Sequence, residues 1–209
     1  QPRSRGLGDV YKRQQLYQEG STHWDRGHPS PPLKQYLSDK ELAGRVIVIG
    51  CGRGHDVAHL AERGVDVTGL DIAPTAIADA KARYPHLEDR FHVADLFDLP
   101  ADFCGSFDVV VEHTCLSGLP PELRKSYRAG VDALLKEGGH VVGVWFINPD
   151  LDPGETGPPF PLPVSALDAL FEDYEISDDY VPDAAFEGRE GRERLRVLKK
   201  RPADSAVAK

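Results

Sequence analysis

The residues best able to do chemistry lie at four points along the chain. Gly50-Cys51-Gly52-Arg53-Gly54 forms a glycine-rich turn, and acids follow at Asp71, Asp95 and Glu112. Glycines let a backbone approach a ligand closely, and a helix opening after such a turn offers unpaired N–H groups to a carboxylate or phosphate. An acid about 20 residues beyond the first glycine is placed to take ribose hydroxyls. A glycine turn by itself is common in ordinary loops. With the strand pattern around it and Asp71 behind it, it points to a nucleoside-type ligand.

The segments around these residues read as the strands and helices that must hold them. Val46 to Ile49 is a mostly β-branched apolar run entering the glycine turn, as a buried parallel strand does. Val57, Ala58, Leu60 and Ala61 recur at helical spacing, and Gly64 closes that helix. Val65, Val67 and Leu70 make a second strand ending at Asp71. A helix from Ala73 to Tyr84, with Pro74 in its first turn, carries Ala76, Ile77 and Ala80 inward. Phe91 to Ala94 is a third strand before Asp95, and Phe107 to Val111 a fourth before Glu112. A helix is predicted over Pro120 to Leu135, with Leu123, Tyr127, Val131, Leu134 and Leu135 inward and Gly138-Gly139 as its stop. His140 to Ile147 is a fifth strand. Ser165 is predicted to cap a helix through Phe171. Tyr174 to Tyr180 and Arg194 to Lys200 read as two final strands. Upstream, Pro32 can open a helix showing Leu33, Tyr36 and Leu37 on one face.

Strands alternating with helices, then two adjacent strands, predict an α/β fold. The sheet is doubly wound, seven-stranded and mostly parallel, with a C-terminal antiparallel hairpin. Ligands of such sheets bind at strand carboxyl ends near the switch point, where Gly50, Gly52, Asp71, Asp95 and Glu112 all fall. A dinucleotide and S-adenosylmethionine both fit that placement.

A length of 209 residues suits one domain with a full-sized core, and the domain is expected over residues 15–201. The net charge of −9 argues against a nucleic-acid surface and against an anionic membrane surface. No apolar run approaches the roughly 20 residues that span a bilayer, and there is no secretory signal. Cys51, Cys104 and Cys115 have neither metal-ligand spacing nor the even count of a disulfide framework, so no metal is expected. A cytoplasmic monomer is the simplest expectation. Residues 202–209 read as a disordered tail.

The chain contains no methionine, and Asp9-Val10-Tyr11-Lys12-Arg13-Gln14 resembles the translation of a transposon-end sequencing adaptor. Residues 1–14 are therefore read as a non-native scar, with the natural N-terminus missing. Trp24 follows, either as a core anchor or as a lid over the ligand.

Beyond these local readings, the sheet pattern resembles class I S-adenosylmethionine-dependent methyltransferases. Longer segments are similar to the thiopurine S-methyltransferase family, including its halide/thiol methyltransferase branch. They are IGCGRGHDVAHLAERGVDVTGLDIAPTAI, VADLFDLP, FDVVVEHTCLSGLPPELRKSYRAGVDALLKEGG, GPPFPLPVSALDALF and GRERLRVLKK, which with Trp24 cover nearly all of residues 24–200. GPPF and LPPELRKSY are the most specific of them. The resemblance implies the following roles. Gly50, Cys51 and Gly52 face the methionine part of S-adenosyl-L-methionine. Asp71 takes the ribose, Ile72 packs on the adenine, and Asp95 with Leu96 reaches its amino group. Glu112, His113 and Thr114 lie near the sulfonium, and Trp24 covers the cofactor. Arg124, Pro158, Pro159 and Phe160 face a small-molecule acceptor. Two positions depart from the family. Trp24 is nearly the lone aromatic of its cover, and His113 stands where the halide branch often has tyrosine.

Methyl transfer from a sulfonium is an in-line displacement, so the protein mainly supplies alignment and a dry site. A thiol acceptor must arrive as thiolate or lose its proton in the site. His113, with an ordinary pKa near 6.5, is the expected base, and a structural histidine is the plainer alternative. Arg124 either orients an anionic acceptor or pairs with Glu122 or Asp132 on its own helix. His55 and His59 read as hydrogen-bonded structural histidines, and Cys51 and Cys115 as small packing residues. An NAD-binding oxidoreductase also fits Asp71, but Asp95 and the closing hairpin weigh against it. A non-catalytic cofactor-binding module fits poorly with filled glycine and acidic positions. The acceptor is left open among thiol, thiopurine, halide and similar soft nucleophiles.

Overall fold

The computed structural model describes residues 14–147, 149–152 and 154–201. The expected scar, apart from Gln14, and the expected disordered tail at 202–209 lie outside the described residues. A helical turn over 14–18 opens the described part.

Seven strands follow: β1 (Arg45–Ile49), β2 (Asp66–Asp71), β3 (Phe91–Val93), β4 (Phe107–His113), β5 (Leu135–Phe146), β6 (Tyr174–Tyr180) and β7 (Glu193–Lys200). They form one sheet in the order β3-β2-β1-β4-β5-β7-β6. β1 to β5 run parallel, and β7 lies antiparallel between β5 and β6. The order reverses between β1 and β4, which is the switch point. Helix α1 (Pro31–Tyr36) precedes β1, and α2 (His55–Glu62), α3 (Pro74–Arg83), α4 (Arg124–Leu134) and α5 (Val164–Leu170) connect strands.

Period-two alternation sends the two faces of the sheet into two cores. Val46 and Val48 of β1 pack with Leu33, Val57, Leu60 and Ile77 from α1, α2 and α3. Ile47 and Ile49 face the other way, toward Tyr127, Val131 and Leu134 of α4 and Leu167 of α5. Burial on both faces explains why β1 reads as a continuous apolar run rather than an alternating one. Ser30 caps α1, its hydroxyl accepting from the Leu33 N–H at 3.4 Å, and Pro31 occupies the first turn. Gly64, at φ +81°, stands just past the end of α2, as its sequence position implied.

Three boundaries differ from the sequence reading. Ser165 does not cap α5: Pro163 stands at the cap and Ser165 lies inside the first turn. α4 begins at Arg124 after a 3₁₀ turn over Pro121–Leu123, which leaves Leu123 only half-buried. Leu135 belongs to β5 rather than to the helix. It pairs with Phe107, and the register then shifts so that Val109 pairs with His140. Gly138 and Gly139 therefore sit in a strand irregularity, where the extra residues are absorbed.

Candidate functional site

At the carboxyl ends of β1 and β4 lies a pocket that contains Trp24, Gly50, Cys51, Gly52, His113 and Thr114 of the predicted residues. Tyr17, Asp25, Arg53, His55, Asp56 and Phe186 also line it.

The glycine wall is made by backbone. Gly50 and Gly52 adopt φ of +60° and +53°, which L side chains rarely do, and a Cβ on Gly50 would sit 2.7 Å from Cys115 Sγ. Asp71 locks the turn: its Oδ2 accepts from the Gly52 N–H and its Oδ1 from the Ala73 N–H, both at 2.9 Å. Half-buried Ile72 follows it. Asp95 and Leu96 lie beyond β3, outside this pocket. Asp95 accepts from the Phe97 N–H at 2.8 Å, and Leu96 packs against Gly130 of α4. Burial pushes the Cys51 thiol well up, with Asp71 adding to the effect, which disfavours the thiolate.

The cover over this wall holds two aromatics rather than one. Trp24 is half-buried and meets the buried Tyr17 edge-on at 5.8 Å. Arg53 pins the cover. Its Nη1 donates to Thr22 Oγ1 at 2.9 Å and to Asp25 Oδ2 at 2.6 Å, its Nε donates to Asp79 at 3.0 Å, and its guanidinium lies over the Tyr17 ring. Burial works to raise Asp25, but the Arg53 and Gly27 hydrogen bonds outweigh it and hold the carboxyl below its ordinary value. His55 is the hydrogen-bonded structural histidine expected: it joins Tyr84 Oη at 2.9 Å and Asp25 at 3.2 Å.

The opposite wall centres on His113, the last residue of β4. Its Nδ1 lies 2.9 Å from Asp56 Oδ2, while Asp56 Oδ1 accepts from the Ser30 N–H at 2.7 Å. An ionised carboxylate only accepts, so Nδ1 carries a proton. Nε2 is buried with no partner among the described residues. Phe186 stacks on the ring at 5.8 Å and 11°, and Arg189, paired with Glu193 at 3.1 Å, lies over Phe186. Burial opposes charge on His113, but Asp56, with Glu193 behind it, wins against burial and Arg189, so its pKa is raised. Burial likewise opposes charge on Asp56, and His113 with the Ser30 N–H lowers it.

Glu112 does not face the pocket. It is fully buried, and its Oε1 accepts from the Cys115 N–H at 2.6 Å. Its Oε2 accepts from the Leu116 N–H at 3.1 Å and the Tyr127 hydroxyl at 2.7 Å. Burial pushes it up to about 7 despite these donors. Its role is to hold the turn after His113, where Thr114 takes φ +56°. Such a conformation costs a β-branched residue roughly 1–3 kcal/mol and persists only when its surroundings impose it.

Arg124, Pro159 and Phe160 are not among the residues that line this pocket. Arg124 Nη2 donates to the Pro161 carbonyl at 2.6 Å, and the Phe160 N–H donates to the Ser117 carbonyl at 2.7 Å. Arg124 pairs with neither Glu122 nor Asp132. Asp132 is taken by Arg128 and Tyr174, and burial lowers Arg124 from its ordinary value.

Four contributors escaped the sequence reading. Asp56 had a visible signal, an acid one turn before Leu60 on the buried stripe of α2. Tyr17 lay close to the segment set aside as foreign. Arg53 and Phe186 sit in turns and carry no periodic signal.

The lining suits S-adenosylmethionine. The Tyr17 and Trp24 rings match a cation with an apolar body, and the positive-φ glycine turn leaves room that a side chain would fill.

Comparison with known proteins agrees. The sequence model of the family described as Thiopurine S-methyltransferase (TPMT) matches residues 11–201. A probable thiol methyltransferase 2 of Arabidopsis thaliana is 30% identical, covering 88% of this chain and 82% of its own. A thiopurine S-methyltransferase of Marinobacter nauticus is 31% identical, covering 76% and 84%. Among solved structures, the 1,6-didemethyltoxoflavin-N1-methyltransferase of Burkholderia thailandensis, with S-adenosylhomocysteine bound, shares the fold at TM-score 0.68. It is 21% identical and covers 92% of this chain and 87% of its own. The chain thus belongs to the thiopurine S-methyltransferase family, and it is an S-adenosylmethionine-dependent methyltransferase.

Proposed function

We propose that the chain methylates a small soft nucleophile, a thiol in the first place, with thiopurines and halides in the same acceptor class, and that His113 takes the proton of a protonated thiol. The observation that carries this reading is the placement of His113. It closes β4 at the switch point, its Nδ1 is anchored on Asp56, and its Nε2 is enclosed without a partner. A buried polar atom left unpaired calls for an explanation, and a group bound in the pocket supplies one. The sulfur acceptors in the names of the thiol and thiopurine methyltransferase relatives support the choice.

When bound, S-adenosylmethionine supplies a methyl group on a sulfonium that carries its own leaving group. The remaining work belongs to the chain. The Gly50–Gly52 backbone, Cys51, Asp71 and Ile72 hold the cofactor, Asp95 and Leu96 flank its far end, and Trp24 with Tyr17 covers it. Glu112 supports the turn through His113 and Thr114. Arg124, Pro159 and Phe160 bound the acceptor side. A pair formed by an ordinary thiol and a histidine of raised proton affinity exchanges a proton readily near neutral pH.

The enzyme so proposed is a cytoplasmic monomer without nucleic-acid or membrane partners. The net charge of −9 supports the absence of polyanion binding. No described helix is long and apolar enough to cross a membrane.

The test is S-adenosylhomocysteine release with a panel of thiols, a thiopurine and iodide. Turnover with at least one thiol is expected. Turnover confined to nitrogen or oxygen acceptors would overturn the proposed acceptor class.

A further inference from the structure

We propose that Asp56 is a positioning residue for the transfer, acting through His113: it fixes the imidazole so that Nδ1 holds the proton and Nε2 is the atom offered to the acceptor. This rests on the reading of His113 as the proton acceptor.

The geometry over-determines that arrangement. Asp56 is nearly buried in the first turn of α2, on the same helix face as Leu60. Its Oδ1 is held by the Ser30 N–H at 2.7 Å, so the carboxylate cannot rotate without leaving a buried donor unpaired. Oδ2 therefore points at His113 Nδ1, 2.9 Å away. Phe186, stacked at 5.8 Å and 11°, fixes the plane of the ring. The charged groups facing His113 come from three sides. Asp56 approaches from α2, Glu112 lies beside it on β4, and Arg189 with Glu193 lies on the C-terminal segment. The paired Arg189 and Glu193 largely offset each other, which leaves Asp56 as the dominant partner.

In the step so arranged the thiol S–H bond breaks and its electron pair stays on sulfur. The proton bonds to Nε2. The imidazolium that forms is paired with Asp56, and the proton later leaves to solvent. Asp56 keeps its own charge throughout.

Asp56→Asn tests this because the two oxygens have different partners. The single amide oxygen stays with the Ser30 N–H, so the NH₂ group turns toward Nδ1. The ring must then accept at Nδ1 and carry its proton on Nε2, where it can no longer take one from a thiol. At pH 7, turnover with thiols of pKa near 9 should fall by at least about tenfold. Turnover with iodide and with thiols already ionised should stay within about twofold, a split that a purely structural role would not produce. In a His113→Gln background, Asp56→Asn should add nothing.

Histidine ring ¹⁵N NMR supplies a readout without turnover, with the His113 signals assigned by their loss in His113→Gln. Above its titration, wild-type His113 should be protonated at Nδ1, and Asp56→Asn should move the proton to Nε2. A wild-type ring protonated at Nε2 overturns the proposal, as do equal losses across all acceptors. Should Asp56→Asn fail to fold, the wild-type spectrum alone decides. A wild-type enzyme that methylates neither thiols nor iodide strikes the acceptor class, whereas the spectrum strikes the Asp56 assignment.

Discussion

The two walls of the pocket, one carrying Gly50 to Asp71 and one carrying His113, are assembled by different means. The first comes from one stretch of chain. β1 delivers the glycine turn, α2 leaves it, and β2 returns to place Asp71 against the Gly52 N–H, 2.9 Å away and 19 residues on. Its contacts are backbone to backbone or backbone to carboxylate, including Cys51 N–H to the Leu70 carbonyl at 3.0 Å. The second wall is gathered from distant segments. Asp56 comes from α2, Ser30 from the loop before α1, and Phe186, Arg189 and Glu193 from the region between β6 and β7 and its edge. Its contacts run between side chains, apart from the Ser30 N–H, which donates to Asp56. The glycine wall can therefore be damaged mainly through backbone geometry, and the His113 wall through charge and tautomer.

The largest effect should come from Gly50→Val. A branched side chain at φ +60°, with its Cβ 2.7 Å from Cys115 Sγ, cannot be seated without moving the turn. Cofactor affinity by calorimetry should fall by at least about a hundredfold, or roughly 2.7 kcal/mol, while circular dichroism keeps the folded signal. A loss under tenfold would mean that this wall is not where the cofactor lies.

Next comes Asp71→Ala, with an expected loss of at least about tenfold in cofactor affinity. Charge-assisted hydrogen bonds are worth roughly 1.5–3 kcal/mol each, and the substitution also frees the Gly52 N–H. Unchanged binding would remove Asp71 from the pose. Arg53→Ala should be milder, about three- to tenfold, because it loosens the cover at Thr22 and Asp25 through partly exposed contacts.

The His113 wall predicts a pH signature in stability. Glu112 is raised in the folded state to about 7 from an ordinary 4.5. The folded chain then binds more protons than the unfolded chain between those values, so this contribution is fully present below about pH 4.5 and is lost as pH rises through 7. Melting temperature should decline over that window. Glu112→Gln should flatten the decline while lowering the overall value, because one amide oxygen cannot serve three donors. A parallel decline in both proteins would discharge Glu112 from the account. The smallest effect belongs to removal of residues 1–14, which should leave melting temperature and cofactor affinity unchanged. A clear fall in either would show that the segment belongs to the fold.

Legibility in the sequence follows the same division. The glycine turn, the placement of Asp71 at the end of β2 and the succession of strands and helices were readable because neighbouring residues set them: apolar runs mark the strands, and positive φ demands glycine. Where a strand irregularity intervened, at Gly138-Gly139, the boundary of α4 was read too far. Glu112 was placed correctly at a strand end but on the wrong side, since a single acid does not reveal whether it faces a ligand or the Cys115 and Leu116 N–H groups. Arg124 likewise reaches the Pro161 carbonyl, a partner no local pattern announces. His113 was legible as a residue type and not as a device. Its partners Asp56 and Phe186 meet it only after the sheet has formed.

The central claim is that His113 takes the acceptor's proton, and His113→Gln across a thiol series tests it most directly. Glutamine keeps polarity and much of the bulk but cannot accept that proton. A thiol with pKa well below the working pH arrives ionised, whereas one near 9 is mostly protonated at pH 7. Initial rates at saturating cofactor, on thiols of rising pKa with iodide as the proton-free control, should give a mutant-to-wild-type ratio near one for iodide and falling steadily as thiol pKa rises. A ratio that is flat across the thiols, and equal to that for iodide, would contradict the account and leave alignment as the whole of the catalysis.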